Sequence, residues 1–184
     1  MSVVVAILTD KEMVMAADSI VVRGSIKAES GDSKIWENGE YLFGGVGTCR
    51  GLQILRWHWS LPERTQGQST NEFFFKKIPA SLRTSFANEC YLKAENEIKS
   101  ISENFIFMNK DSIFLISSDL SIVVPKENYI TIGYGWEIAL GSLHSTSEMK
   151  NLSIQKRAEM AIEAACHFSY GCMSPVVSIH KKFK

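Results

Sequence analysis

Apolar and polar residues fall in blocks along the first half of this chain. Val3 to Leu8 is an apolar run, Thr9 to Glu12 a polar turn, and Met13 to Ala17 apolar again. Two runs of strand length around a short polar turn predict a β-hairpin. Ser19 to Arg23 keeps β character through Ile20, Val21 and Val22, and Gly24 to Asp32 reads as a polar loop. Ser33 to Glu37 reads as a short strand carrying Lys34, with Asn38-Gly39 as a hairpin turn before the next strand, Tyr41 to Phe43. That strand runs into Gly44-Gly45-Val46-Gly47, small residues that let another backbone or a ligand come close.

Thr48 is a candidate N-cap for a helix whose apolar positions are Leu52, Ile54, Leu55, Trp57 and Trp59. Pro62 to Thr70 reads as a surface loop. Asn71 to Ser100 has a helical pattern with a break near Pro79. Its Phe73, Phe74, Phe75, Leu82, Phe86 and Leu92 read as core, and Glu89, Lys93 and Glu97 as a solvated charged face. Strands return at Phe105 to Met108, Ile113 to Ser117, Ile122 to Val124 and Ile130 to Gly133, with turns at Asn109-Lys110-Asp111 and Ser118-Asp119. Gly133-Tyr134-Gly135 leads into a helix over Trp136 to His144. A second helix over Ser153 to Phe168 places Ile154, Ala158, Ala161, Ile162 and Ala165 on one face, and Val176 to Ile179 is a last strand. Strands, helices, strands, helices and a strand predict an α+β architecture: two antiparallel sheets facing each other with helix pairs outside, one domain over residues 1–184.

Composition narrows the field. The chain is 45% hydrophobic and 22% charged, the profile of a soluble globular protein. Twenty basic residues balance twenty acidic ones, so charge gives no case for nucleic-acid or membrane binding. The basic cluster His180, Lys181, Lys182, Lys184 reads as a solubilising tail. Cys49, Cys90, Cys166 and Cys172 form no CxxC pair, which argues against a zinc site, and the chain's size argues against a disulfide framework. The first apolar run lacks a basic lead-in and a small-residue cleavage site, so it is not expected to be a signal peptide. No run approaches a membrane span. The expected setting is reducing and cytoplasmic.

The candidate chemistry lies at the front. Removal of Met1 would expose Ser2 with a free α-amine. A serine hydroxyl needs a base, and an α-amine, with an unperturbed pKa of about 7.7–8.0, can be one. The second strand ends in Asp18, and Lys34 follows. A lysine near the amine would favour its neutral form, and an acid would hold that lysine. The glycines after Phe43 would point N–H groups at an oxyanion; the alternative is a tight turn holding no ligand.

The stretches VVVAILTDKEMVMAADS, SKIW, YLFGGVG, ITIGYGWEIALGSL and AIEAACHFSYGCMSPV resemble the N-terminal-nucleophile hydrolases. Within them, the chain is most similar to the proteasome β-subunit and its bacterial relative, the peptidase of the two-component ATP-dependent protease. It also resembles the short proteasome-like proteins of phage and prophage genomes. The resemblance implies a four-layer αββα sandwich. It puts the family's threonine nucleophile at Ser2, its structural acid at Asp18, its lysine at Lys34 and its oxyanion glycine at Gly44, with Gly45 beside it. The family's Gly-Ser-Gly becomes Gly133-Tyr134-Gly135, and its late Asp and Ser fall near His167 and Tyr170, so Tyr134, His167 and Tyr170 stand where the supporting shell is expected. The implied activity is peptide hydrolysis in a homo-oligomeric ring, without metal or cofactor, on protein substrates delivered by an ATP-dependent unfoldase. The altered shell motivates an alternative, an inactive scaffold or assembly subunit. Small-molecule amide cleavage is a third reading.

Overall fold

In the computed structural model, which describes residues 1–95 and 98–183, the first two apolar runs pair as the expected hairpin. β1 (Val3–Leu8) runs antiparallel to β2 (Glu12–Asp18), with Val4 opposite Ala17 and Ile7 opposite Val14. Thr9 closes the turn, its N–H and hydroxyl both donating to the Glu12 carbonyl at 2.9 and 3.0 Å. There follow β3 (Ile20–Arg23), β4 (Ile26–Glu29), β5 (Ile35–Asn38) and β6 (Tyr41–Val46). α1 (Cys49–Gln53) continues into a π-helical turn, Ile54–His58. α2 (Thr70–Glu72) passes through another, Phe73–Lys77, into α3 (Ile78–Asn88). Seven more strands and two helices complete the order: β7 (Lys93–Glu95), β8 (Ile98–Ser100), β9 (Asn104–Met108), β10 (Ile113–Ile116), β11 (Ile122–Val123), β12 (Tyr129–Gly133) and, after α4 (Trp136–Ser145) and α5 (Ile154–Phe168), β13 (Val176–Lys182).

Two antiparallel sheets form the centre. One has strand order β12-β1-β2-β13, the other β11-β10-β9-β6-β5. The period-two alternation of a strand distributes the β1–β2 hairpin between two cores. Val4, Ala6, Met13, Met15 and Ala17 point inward, against Ile35, Leu42, Ile106 and Met108 of the other sheet. Val3, Val5, Ile7, Val14 and Ala16 point outward onto Ala139 and Leu143 of α4 and Ala158, Ala161 and Ile162 of α5. The second sheet's outer face carries Phe43, Phe105, Phe107 and Phe114, packed under Ile54, Phe73, Phe74, Leu82 and Phe86. Phe74 stacks flat on Phe114 at 3.7 Å. Strands covered on both faces explain why the hairpin reads as continuous apolar runs. The result is the predicted αββα sandwich.

Several local expectations need correcting. The loop expected over 24–32 contains β4, which pairs with β3; all four of its residues are exposed, so no burial pattern marked it. The helix expected to run to Ser100 ends at Asn88, and Pro79, the expected break, lies just after the π-helical turn Phe73–Lys77 that leads into α3. Glu89 and Lys93 therefore do not share a helical face, and Glu97 lies outside the described residues. Glu89 instead pairs with Arg50 and with His58 Nδ1. The basic cluster is not a free tail. His180, Lys181 and Lys182 belong to β13, His180 Nε2 lies 2.8 Å from Glu12 Oε2 and Lys181 Nζ 3.2 Å from Glu37 Oε2; Lys184 lies outside the described residues. Among the described residues no helix is long and apolar enough to cross a membrane.

Candidate active site

Asp18, the last residue of β2, is the hub around which several chain segments meet. Its Oδ1 accepts from the Val3 N–H at 2.8 Å and from Lys34 Nζ at 2.7 Å. Its Oδ2 accepts from the Ile20 N–H at 3.2 Å and the Met173 N–H at 3.3 Å. One carboxylate thus ties the start of β1, the start of β3, the residue before β5 and the loop before β13. The pair is dry: the Asp18 side chain is 0% exposed and that of Lys34 7%. Burial holds the Lys34 amine below its ordinary value, and Asp18 opposes that shift. A buried charge persists only with such partners.

Ser2 precedes β1 and is 5% exposed. Its hydroxyl donates to the Met1 carbonyl, and its own carbonyl accepts from the Tyr134 N–H at 2.6 Å. Gly133 makes that approach possible. It has φ +104°, and a Cβ there would collide with the Ser2 carbonyl oxygen. Met1 and Ser2 form part of the walls of two cavities. The first, about 470 Å³, also has Ile20, Val22, Lys34, Trp36, Gly47 and Leu52. The second, about 640 Å³, has Gly47, Asn104, Ile132, Tyr134 and Trp136. Ser2, Lys34 and Gly47 therefore meet at one cavity, with Asp18 bonded behind them.

The family resemblance puts the expected oxyanion glycine at Gly44, with Gly45 beside it, and neither lines these cavities. Gly44 sits in the centre of β6, backed by Val4 and Met15 of the other sheet; a Cβ there would lie 2.8 Å from Val4 Cγ1. The Gly45 N–H already donates to the Lys34 carbonyl at 3.0 Å. Gly47, with φ +139°, is the glycine of this run that borders both cavities.

Of the three shell positions, Tyr134 touches the site through its backbone bond to Ser2, while its ring is 59% exposed and packs edge-on against Tyr170 at 6.0 Å. Tyr170 is 63% exposed and lies under Lys27 Nζ at 4.4 Å. His167 is exposed at the end of α5, edge-on to Phe168. Neither His167 nor Tyr170 lines either cavity. What touches the Asp18–Lys34 pair instead is the Met173 amide, and the pair's charges reach the thiols of Cys166 and Cys172. Burial raises Cys172, and it pushes Cys166 up to about 11. A backbone amide leaves no mark in a sequence, which is why Met173 could not be found there. Among the described residues, no group of three or more His, Cys, Asp or Glu side chains is placed to hold a metal.

No family model matches this chain, and no curated protein matches it. Solved structures do. BPH of Thiobacillus denitrificans in complex with epoxomicin superposes with a TM-score of 0.84 at 21% identity, covering 99% of this chain and 99% of its own. HslV of Trypanosoma brucei gives 0.70 at 14% identity, over 98% of this chain and 99% of that one. A Gly-1 mutant of Anbu from Hyphomicrobium sp. strain MC1 gives 0.70 at 15%, over 99% and 82%. The chain has, from end to end, the fold of the proteasome-like N-terminal-nucleophile hydrolases.

Proposed function

We propose that this chain is a proteasome-like peptidase whose nucleophile is Ser2, exposed by removal of Met1. The observation that carries the reading is the single Asp18 oxygen that holds both Lys34 Nζ and the Val3 amide, the bond next to Ser2. A purely structural ion pair has no need of a serine and a cavity beside it. Once Met1 is gone, the nitrogen of Ser2 is an α-amine instead of a peptide amide, and it can take the hydroxyl proton. The oxygen attacks a peptide carbonyl, and the C–O bond forms as the carbonyl π electrons move to oxygen. The Lys34 ammonium keeps the amine neutral and Asp18 keeps Lys34 charged and placed.

The oxyanion donor in this reading is the N–H of Gly47. The Gly45 N–H is already bonded to the Lys34 carbonyl, whereas Gly47, directly after β6, borders both cavities at Ser2. The tetrahedral intermediate collapses as the ammonium of Ser2 protonates the leaving amine. Water then adds to the acyl-enzyme with the amine again as base, releasing the acid and free Ser2. By likeness to the fold's peptidases, the working form is a homo-oligomeric ring fed by an ATP-dependent unfoldase, in the cytoplasm.

One observation favours a second reading, a non-catalytic assembly subunit. Of the three altered shell positions, His167 and Tyr170 line neither cavity at Ser2, and a chain that kept Met1 would have no base. The intact mass of protein purified from its native host separates the two. A mass lacking one methionine, with an epoxyketone adduct mapped to Ser2 that Ser2→Ala abolishes, is expected. Retention of Met1 or unchanged turnover in Ser2→Ala overturns the peptidase reading.

A further inference from the structure

Glu103 is a fully buried carboxylate that the catalytic set does not use. It precedes β9 and is 0% exposed. No Lys, Arg or His side chain forms an ion pair with it among the described residues; its oxygens are taken up by the Gly47–Thr48 turn and its own neighbour. Oε1 accepts from the Thr48 hydroxyl at 2.6 Å and from the Thr48 N–H at 3.3 Å, and Oε2 from the Ser102 N–H at 2.8 Å. The Thr48 hydroxyl in turn accepts from the Gly51 N–H at 3.0 Å, capping α1, and meets the Tyr91 hydroxyl.

The glycines of this turn are shaped around the same side chain. A Cβ on Gly47 would lie 2.8 Å from Glu103 Cγ and 3.0 Å from its Cα, and a Cβ on Gly51 would overlap its carboxylate. A carboxyl group this deeply buried is costly unless its oxygens are hydrogen-bonded, and here Thr48 and Ser102 supply the bonds. Three hydrogen bonds to one buried side chain fix the turn across 55 residues of chain. Gly47 is the residue immediately before Thr48 and it borders both cavities at Ser2.

We propose that Glu103 is a positioning residue of this site: its buried carboxylate aims the Gly47 peptide at the carbonyl oxygen that Ser2 attacks. This rests on the peptidase reading above. Glu103 touches no substrate and transfers no proton; it acts through Thr48 on Gly47. An oxyanion donor stabilises the transition state and not the bound substrate, so its displacement lowers kcat and leaves KM in place.

The test uses the chain beginning at Ser2 and its Glu103→Gln variant. Glutamine keeps the shape and one acceptor oxygen, and turns an NH2 toward either Ser102 or Thr48. The probes are a fluorogenic peptide amide, a peptidyl boronate, and the same peptide carrying a plain C-terminal amide. The variant is expected to lose about 10- to 100-fold in kcat, the scale of a misplaced catalytic group. Boronate affinity is expected to fall by a similar factor, with KM and plain-amide affinity unchanged. Should Glu103→Gln fold poorly, Thr48→Val removes the hydroxyl from the same bond and is expected to show the same split. A variant with kcat within about twofold of the parent, or one that loses only through KM, overturns the proposal. A parent chain that neither cleaves the amide nor binds the boronate overturns the peptidase reading, and this inference with it.

Discussion

Replacing Asp18 by Asn is the sharpest perturbation of this site, because the change is nearly isosteric and all four hydrogen bonds of the carboxylate are known. If the amide oxygen keeps Lys34 and Val3, its NH2 faces the Ile20 and Met173 N–H groups; if it flips, the NH2 faces Lys34 and Val3. In either orientation two donors meet two donors, and a buried ammonium loses its counter-ion. Removing one partner of a buried pair costs about 3–5 kcal/mol. For a domain of this size each kcal/mol is about 2–4 °C of Tm, so a fall of roughly 6–20 °C is expected. The pH dependence has a definite sign. Burial already holds Lys34 below its unfolded value, and loss of Asp18 removes the largest opposing influence. Where a lysine's folded pKa lies below its unfolded one, the unfolded chain binds more protons, so stability rises with pH up to about 10.4. The deficit of Asp18→Asn should therefore shrink as pH rises from 6 to 9. Thermal unfolding followed by circular dichroism at several pH values measures it. A Tm loss under about 2 °C, or one that grows with pH, would refute the reasoning.

Three further outcomes follow from particular contacts. Gly133→Ala pushes a methyl group into the Ser2 carbonyl oxygen at a positive φ, and should lower stability by more than about 1 kcal/mol and abolish Ser2 labelling, read by unfolding and adduct mass. Cys49 and Cys90 are exposed, whereas burial pushes Cys166 up to about 11 and raises Cys172. At pH 8, iodoacetamide should therefore modify the first pair faster than the half-buried Cys166 and the buried Cys172 in peptide mapping, and equal labelling of all four would contradict this reading. Phe74→Ala removes a fully buried ring stacked on Phe114, and should cost about 3–5 kcal/mol in denaturant unfolding with the nucleophile's chemistry retained in the folded fraction.

The apolar runs and turns of the sequence determine the hairpin, the positions of the last two helices and the layered α+β plan, because burial on both faces of the central sheets writes itself as continuous hydrophobic stretches. They also nominate Ser2, Asp18 and Lys34, whose chemistry is carried by side chains that a sequence names. What the sequence leaves open is whatever depends on backbone direction or on residues far apart in the chain. β4 is exposed on every residue, so nothing in its composition separates it from a loop. Gly44, Gly45 and Gly47 are alike as letters; only the pairing of β6 with β5 decides which one borders the cavity and which one is spent on the Lys34 carbonyl. The Met173 amide and the Glu103 carboxylate reach the site across 155 and 55 residues of chain, and no local pattern announces either. A side chain's chemistry is local and legible, whereas the direction of an N–H and the meeting of distant segments exist only once the two sheets have packed.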